Sequence, residues 1–134
     1  MQVADTRTVS LGLPPDPEFL VFARLALGAV CRLTSLRPDE VVDLKLAVTE
    51  AAAGVLDESE EPRAVPDRIG FSFELERDCL VLEIEGWLPS ALSVDDRRLG
   101  RAILAATVDG CEIRGHVVRL EKRLDPDERE YTLT

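Results

Sequence analysis

The chain has 134 residues, 46% of them apolar and 31% charged, with a formal net charge of −10. That length and balance describe one globular domain around one core and exclude a disordered chain. The acidity excludes a nucleic-acid backbone as partner, which calls for clustered Lys and Arg, and suits a basic protein partner instead.

No signal-peptide pattern opens the chain, and no apolar run is long enough to span a membrane. Cys31, Cys79 and Cys111 form no CxxC or Cys/His cluster, so reduced, buried thiols of a cytoplasmic protein are expected. Residues 1–134 are expected to form a single domain, with an ordered core over 6–124 and a tail over 125–134.

In chain order, residues 6–13 alternate weakly and read as a strand, which Pro14 and Pro15 end. Asp16 can cap a helix with Pro17 at its first position. That helix, over 17–33, places Leu20, Ala23, Leu27, Val30 and Cys31 on one side. A four-residue connector, 34–37, makes the next helix its neighbour.

The second helix is expected over 38–57, with Pro38 first and Asp39 and Glu40 in its opening turn. Val41, Leu44, Val48, Ala51 and Val55 recur at spacings of three and four as one apolar face. Leu46, Glu50, Gly54 and Asp57 line up on another face. Glu50 stands among small residues there, as a lone acid directed into a cleft would.

Residues 57–67 are polar, hold two prolines and read as a loop. Residues 68–76 and 79–86 alternate on either side of Arg77 and Asp78, the pattern of an antiparallel hairpin. Ile69, Phe71, Phe73, Leu75, Leu80, Leu82 and Ile84 form its inward set. Residues 87–92 are irregular. Ser93 caps a third helix over 94–108, with Leu99, Ala102, Ile103 and Ala106 apolar. Residues 111–114 and 117–124 make a last hairpin around Gly115 and His116. The tail either is disordered or adds an edge strand through Tyr131 and Leu133. This order predicts an α+β two-layer sandwich, a mostly antiparallel, mixed sheet of about five strands with three helices on one face.

The run DLKLAVTEAAAG, ending at Gly54, resembles the N-box helix of the GHKL ATPases. More closely, it resembles the bacterial anti-sigma-factor serine kinases. The similarity extends over residues 8–123, and ILAATVDGCEIRGHVVRLEKRL, from Ile103, looks like the family's closing segment. The resemblance implies a GHKL (Bergerat-like) fold and a kinase that uses Mg²⁺ and ATP. Glu50 matches the family's general base, which polarises a substrate serine hydroxyl.

Other positions depart from the pattern. The metal-holding asparagine, four residues after the glutamate, is Gly54. The aspartate that reads adenine falls on Gly86, and its following glycine on Leu88. Glu85 lies one residue off, on the opposite face of the strand. The glycine-rich lid is reduced to Arg98-Leu99-Gly100-Arg101. Arg97, Arg98 and Arg101 could still attract an anion, or could pair with Asp95 and Asp96 on a solvated face. A glycine inside a helix, as Gly54 is read here, suits close helix–sheet packing.

These departures imply a regulator with an impaired nucleotide site and no resident metal, with ATP and Mg²⁺ as cofactors only if the site survives. By resemblance its partners are a sigma factor, a STAS-type anti-anti-sigma factor or both, and homodimerisation is implied as well. The exposed side of the first helix and its junction with the second, with Arg24, Arg32 and Arg37, is the expected partner surface. The alternative is an active serine/threonine kinase that phosphorylates an anti-anti-sigma factor with ATP. His116 is expected in solvent, and Trp87 over the vacated pocket.

Overall fold

The computed structural model describes residues 7–56, 66–88 and 93–125. Five strands and three helices follow in the order β1 (Arg7–Leu13), α1 (Leu20–Cys31), α2 (Pro38–Ala52), β2 (Ile69–Leu75), β3 (Cys79–Glu85), α3 (Val94–Thr107), β4 (Gly110–Arg114) and β5 (Val117–Arg123). A 3₁₀ turn, Pro17–Phe19, leads into α1. The strands form one sheet in the order β1-β2-β3-β5-β4, with every neighbouring pair antiparallel. The architecture is α+β, helices against an antiparallel sheet, and is consistent with a GHKL-like sandwich.

Local chemistry sets the element starts. Asp16 accepts the Glu18 N–H at 3.0 Å ahead of Pro17, satisfying a donor that the first turn leaves unpaired. Ser93 Oγ accepts the Asp96 N–H at 3.0 Å, and Asp96 accepts the Ser93 N–H at 3.3 Å, a reciprocal cap on α3. At α2, Glu40 reaches back to the Arg37 N–H at 3.2 Å, and Pro38 fills the first helical position.

Period-two alternation then sorts the sheet. Phe73 faces Leu82, and Leu82 faces Leu120, all three fully buried beneath Ala23, Leu27, Leu44, Ala47 and Val48 of the helices. The other side of the same strands carries Ser72, Glu83 and Arg119 in register. Arg119 donates to Glu83 at 3.2 Å and to Glu121 at 3.3 Å, as on a solvated sheet face. Those two carboxylates outweigh its modest burial and hold the guanidinium above its usual range.

Several expected boundaries and faces change. α1 runs only to Cys31, and α2 stops at Ala52, five residues before Asp57, which lies outside the described residues. β3 ends at Glu85, not Gly86. The buried residues of α3 are Gly100 and Leu104, while Leu99 is 63% exposed and Ala102 and Ala106 are exposed. The expected apolar set of that helix is therefore displaced, for a reason that appears at its crossing with α2.

Of the cysteines only Cys31 is buried; Cys79 is half-buried and Cys111 exposed on the edge strand β4. Most of the 57–67 loop, the end of the 87–92 segment and the Tyr131–Leu133 edge strand fall outside the described residues. Among the described residues no helix is long and apolar enough to cross a membrane.

Candidate functional site

Glu50 lies half-buried in the last turn of α2. After Ala52 the chain leaves the helix through Gly54, whose φ is +80°. The Gly54 N–H donates to the Ala51 carbonyl at 3.1 Å, and the Ala53 N–H to Thr49 at 3.1 Å. A left-handed residue just past the last turn is a usual helix stop, and glycine adopts it without steric cost. The reading of Gly54 as a mid-helix glycine packed against the sheet is thus corrected. A Cβ there would meet nothing within 4 Å.

The loose end of α2 is tied down from outside. The Leu88 N–H, just past β3, donates to the Ala52 carbonyl at 2.9 Å. Arg101 Nε donates to the Val55 carbonyl at 3.1 Å. The first of these satisfies a carbonyl that the terminating helix cannot pair itself, and the second holds the chain just beyond it.

The close approach suggested for Gly54 belongs to Gly100. A Cβ on Gly100 would overlap Val55 Cγ1 and stand 2.9 Å from Glu50 Oε2. α3 therefore crosses the end of α2 with glycine at the contact. That crossing orients the Gly100–Leu104 side inward and leaves Leu99 outside. Arg98, two residues from Gly100 and so on the far side of α3, is exposed. Arg97 is half-buried, and its Nε makes no hydrogen bond among the described residues. Asp96 serves the helix cap.

Gly86 sits elsewhere. Its φ is +96°, its N–H donates to the His116 carbonyl at 3.0 Å, and a Cβ would come 3.4 Å from the Arg68 carbonyl oxygen. An aspartate at this position would take a backbone conformation that L side chains rarely adopt. Leu88 is buried in the core. Trp87 stands with its ring 5.9 Å from that of His116, at the β4–β5 turn. Glu85 is exposed on the open face of the sheet, where it lines a groove of about 340 Å³ with Ser10, Gly12, Arg68, Gly70 and Glu83.

The structure thus gathers Glu50, Gly100 and Arg101 around Val55, with Gly54 at the helix end. Gly86 and Arg98 stand apart from that contact. The positions that the resemblance gives to a Mg²⁺–nucleotide group lack its oxygen donors. Gly54 offers no side-chain ligand, Gly86 no carboxylate, and the Gly100 backbone lies against Glu50 rather than in a lid. Among the described residues no three or more His, Cys, Asp and Glu side chains stand together as a metal-holding group. Sequence reasoning missed Val55 as the centre of this contact. The available signal was Gly100 itself, since a glycine inside a helical pattern has either a packing reason or a capping one.

No protein-family model matches the chain. Against curated proteins it is 28% identical over 78 residues to the serine-protein kinase RsbW of Halalkalibacterium halodurans. The match covers 58% of this chain and 46% of that protein, so the chain spans less than half the length of this curated relative. A serine-protein kinase is the kind of protein that the α2 motif resembles.

Proposed function

We propose that the chain is a regulatory protein of the anti-sigma-factor kind, acting by protein–protein binding, with its nucleotide site impaired. The observation that carries this reading is the α2–α3 crossing. Gly100 is pressed against Glu50 and Val55, and Arg101 holds the Val55 carbonyl, so residues at the positions of base and lid serve packing. Phosphoryl transfer depends on positioning the nucleotide and its metal, and these residues supply neither. The partners under this reading are a sigma factor, a STAS-type anti-anti-sigma factor, or both.

One observation favours a second reading. Glu50 is retained at the general-base position, and the relative's name is that of a serine-protein kinase. An active kinase would use Glu50, with Arg98 and Arg101 on the phosphates, to modify a partner serine.

Calorimetry with Mg-ATP and Mg-ADP separates the two. The expected result is no binding by the native chain. Gly54→Asn is a suitable comparison, because the left-handed position tolerates asparagine and space is open there. Gly86→Asp is a poor one, because its backbone is strained for any side chain. Micromolar nucleotide binding, weakened by Glu50→Gln or Arg98→Ala, would reinstate the kinase.

A further inference from the structure

Helices α1 and α2 lie antiparallel, and two contacts fix their relative height. Arg24 Nη1 donates to Thr49 Oγ1 at 3.4 Å, and Lys45 lies against Gly28. Leu25 and Leu46 are therefore within one helical turn of the same level. Both point outward, with Leu25 63% and Leu46 41% exposed. Val21 and Phe22 extend the apolar surface along α1, and Val42, 63% exposed, along α2. A row of large apolar side chains across two packed helices is not accounted for by the core, which takes the opposite faces of both.

The border of this row is asymmetric. The cations of the seam are engaged between the helices, Arg24 with Thr49 and Lys45 against Gly28. Arg32 is exposed near the C-terminal end of α1. Along the far side of α2 run Asp39 and Asp43, exposed carboxylates one helical turn apart. Asp39 also meets Arg37 at 3.4 Å, an exposed pair that water screens. A second copy of this chain would bring the same acidic line and a further charge of −10. A basic partner meets no such repulsion.

We propose that the α1–α2 face is a docking strip for an amphipathic helix of a partner protein. The partner helix is apolar along its centre and basic along the edge that meets Asp39 and Asp43. Its apolar residues lie over Leu25 and Leu46, the helix-in-groove mode of recognition. This rests on the protein-binding reading above and gives it a surface. It also changes the expected chemistry from a basic patch around Arg24, Arg32 and Arg37 to an apolar strip with an acidic edge.

The test uses the full chain and two synthetic amphipathic helices, one of leucine and lysine and one of leucine and glutamate, followed by fluorescence anisotropy. The leucine–lysine helix is expected to bind saturably, and the leucine–glutamate helix not to bind. The Leu25→Asp/Leu46→Asp double variant should bind the leucine–lysine helix at least about tenfold more weakly, a loss of ~1.4 kcal/mol. The double variant is more acidic than the native chain, so attraction by charge alone predicts the reverse. Unchanged or tighter binding by the variant would overturn the proposal. So would a native dimer in sedimentation that the same substitutions dissociate, because the occupant would then be a second copy. Circular dichroism of the variant, expected to match the native chain, separates lost docking from lost folding. None of these readouts involves nucleotide, so failure here leaves the calorimetric result standing, and the two readings fail separately.

Discussion

Two surfaces of α2 use their residues in opposite ways. At its C-terminal end, residues that look like parts of a chemical site are occupied with structure. Glu50 faces the Gly100 backbone, Arg101 binds a main-chain carbonyl, and Gly54 ends the helix. On its outward face, residues suited to a core are left in solvent, Val42 and Leu46 beside Leu25 of α1. The motif residues and the unpartnered apolar residues thus lie on different parts of this helix. A group engaged in folding has to be released before it can serve a ligand.

Substitutions can break that contrast, and the largest effect is expected at the crossing. Gly100→Leu would force a side chain into Val55 and Glu50 and should destabilise the fold by about 3 kcal/mol in urea unfolding. A change under about 0.5 kcal/mol would mean that α3 is not held against α2. Next come the two left-handed glycines. Gly86→Ala is strained and close to the Arg68 carbonyl, so a loss of roughly 1–3 kcal/mol is expected. Gly54→Asn, equally left-handed but in open space, should cost only a few tenths, about 0.5 kcal/mol at most. Equal losses at the two sites would remove the distinction drawn between them.

The buried side of α1 supplies a pH signature. Burial pushes the Cys31 thiol up from 9.0 to about 11, against a smaller downward pull from Lys45. The folded state then keeps its proton where the unfolded chain has lost it. This contribution is complete below pH 9 and is lost as pH rises from 9 toward 11. Urea midpoints of the native chain should fall over that window by more than those of Cys31→Ala, and parallel curves would contradict the burial. Arg101→Ala removes one bond to the Val55 carbonyl and should cost about 1 kcal/mol. The smallest effect is expected on the outward face, where Leu25→Asp and Leu46→Asp should each change stability by less than about 0.5 kcal/mol. A large loss there would show that the strip belongs to the fold and not to a partner.

Much of this architecture was legible in the sequence because it depends on neighbours along the chain. Asp16, Ser93 and Pro38 mark helix starts through bonds that reach two or three residues. The strict alternation of β2 and β3 defines a buried face without knowledge of what covers it. The lone acid at Glu50 and the unusual glycines were visible too, as identities.

Their roles were not visible as identities, and that of Gly100 depends on a segment remote in the chain. Gly54 and Gly100 both break helical patterns. Gly54 ends its helix in open space, while Gly100 admits Val55, forty-five residues before it in the chain. α2 ends at left-handed Gly54, and Leu88 and Arg101, from other elements, bond the Ala52 and Val55 carbonyls there. α3 turns Leu99 outward, against its hydrophobicity, because close backbone contact at Gly100 sets its rotation. The sequence by itself determined the element order, the caps and the sheet's two faces, all products of local bonding and period-two patterning. Only the tertiary structure decided what bonds the end of α2, how α3 is rotated and which apolar residues stay outside. Those outcomes follow from packing between distant segments, where a single absent Cβ chooses the contact.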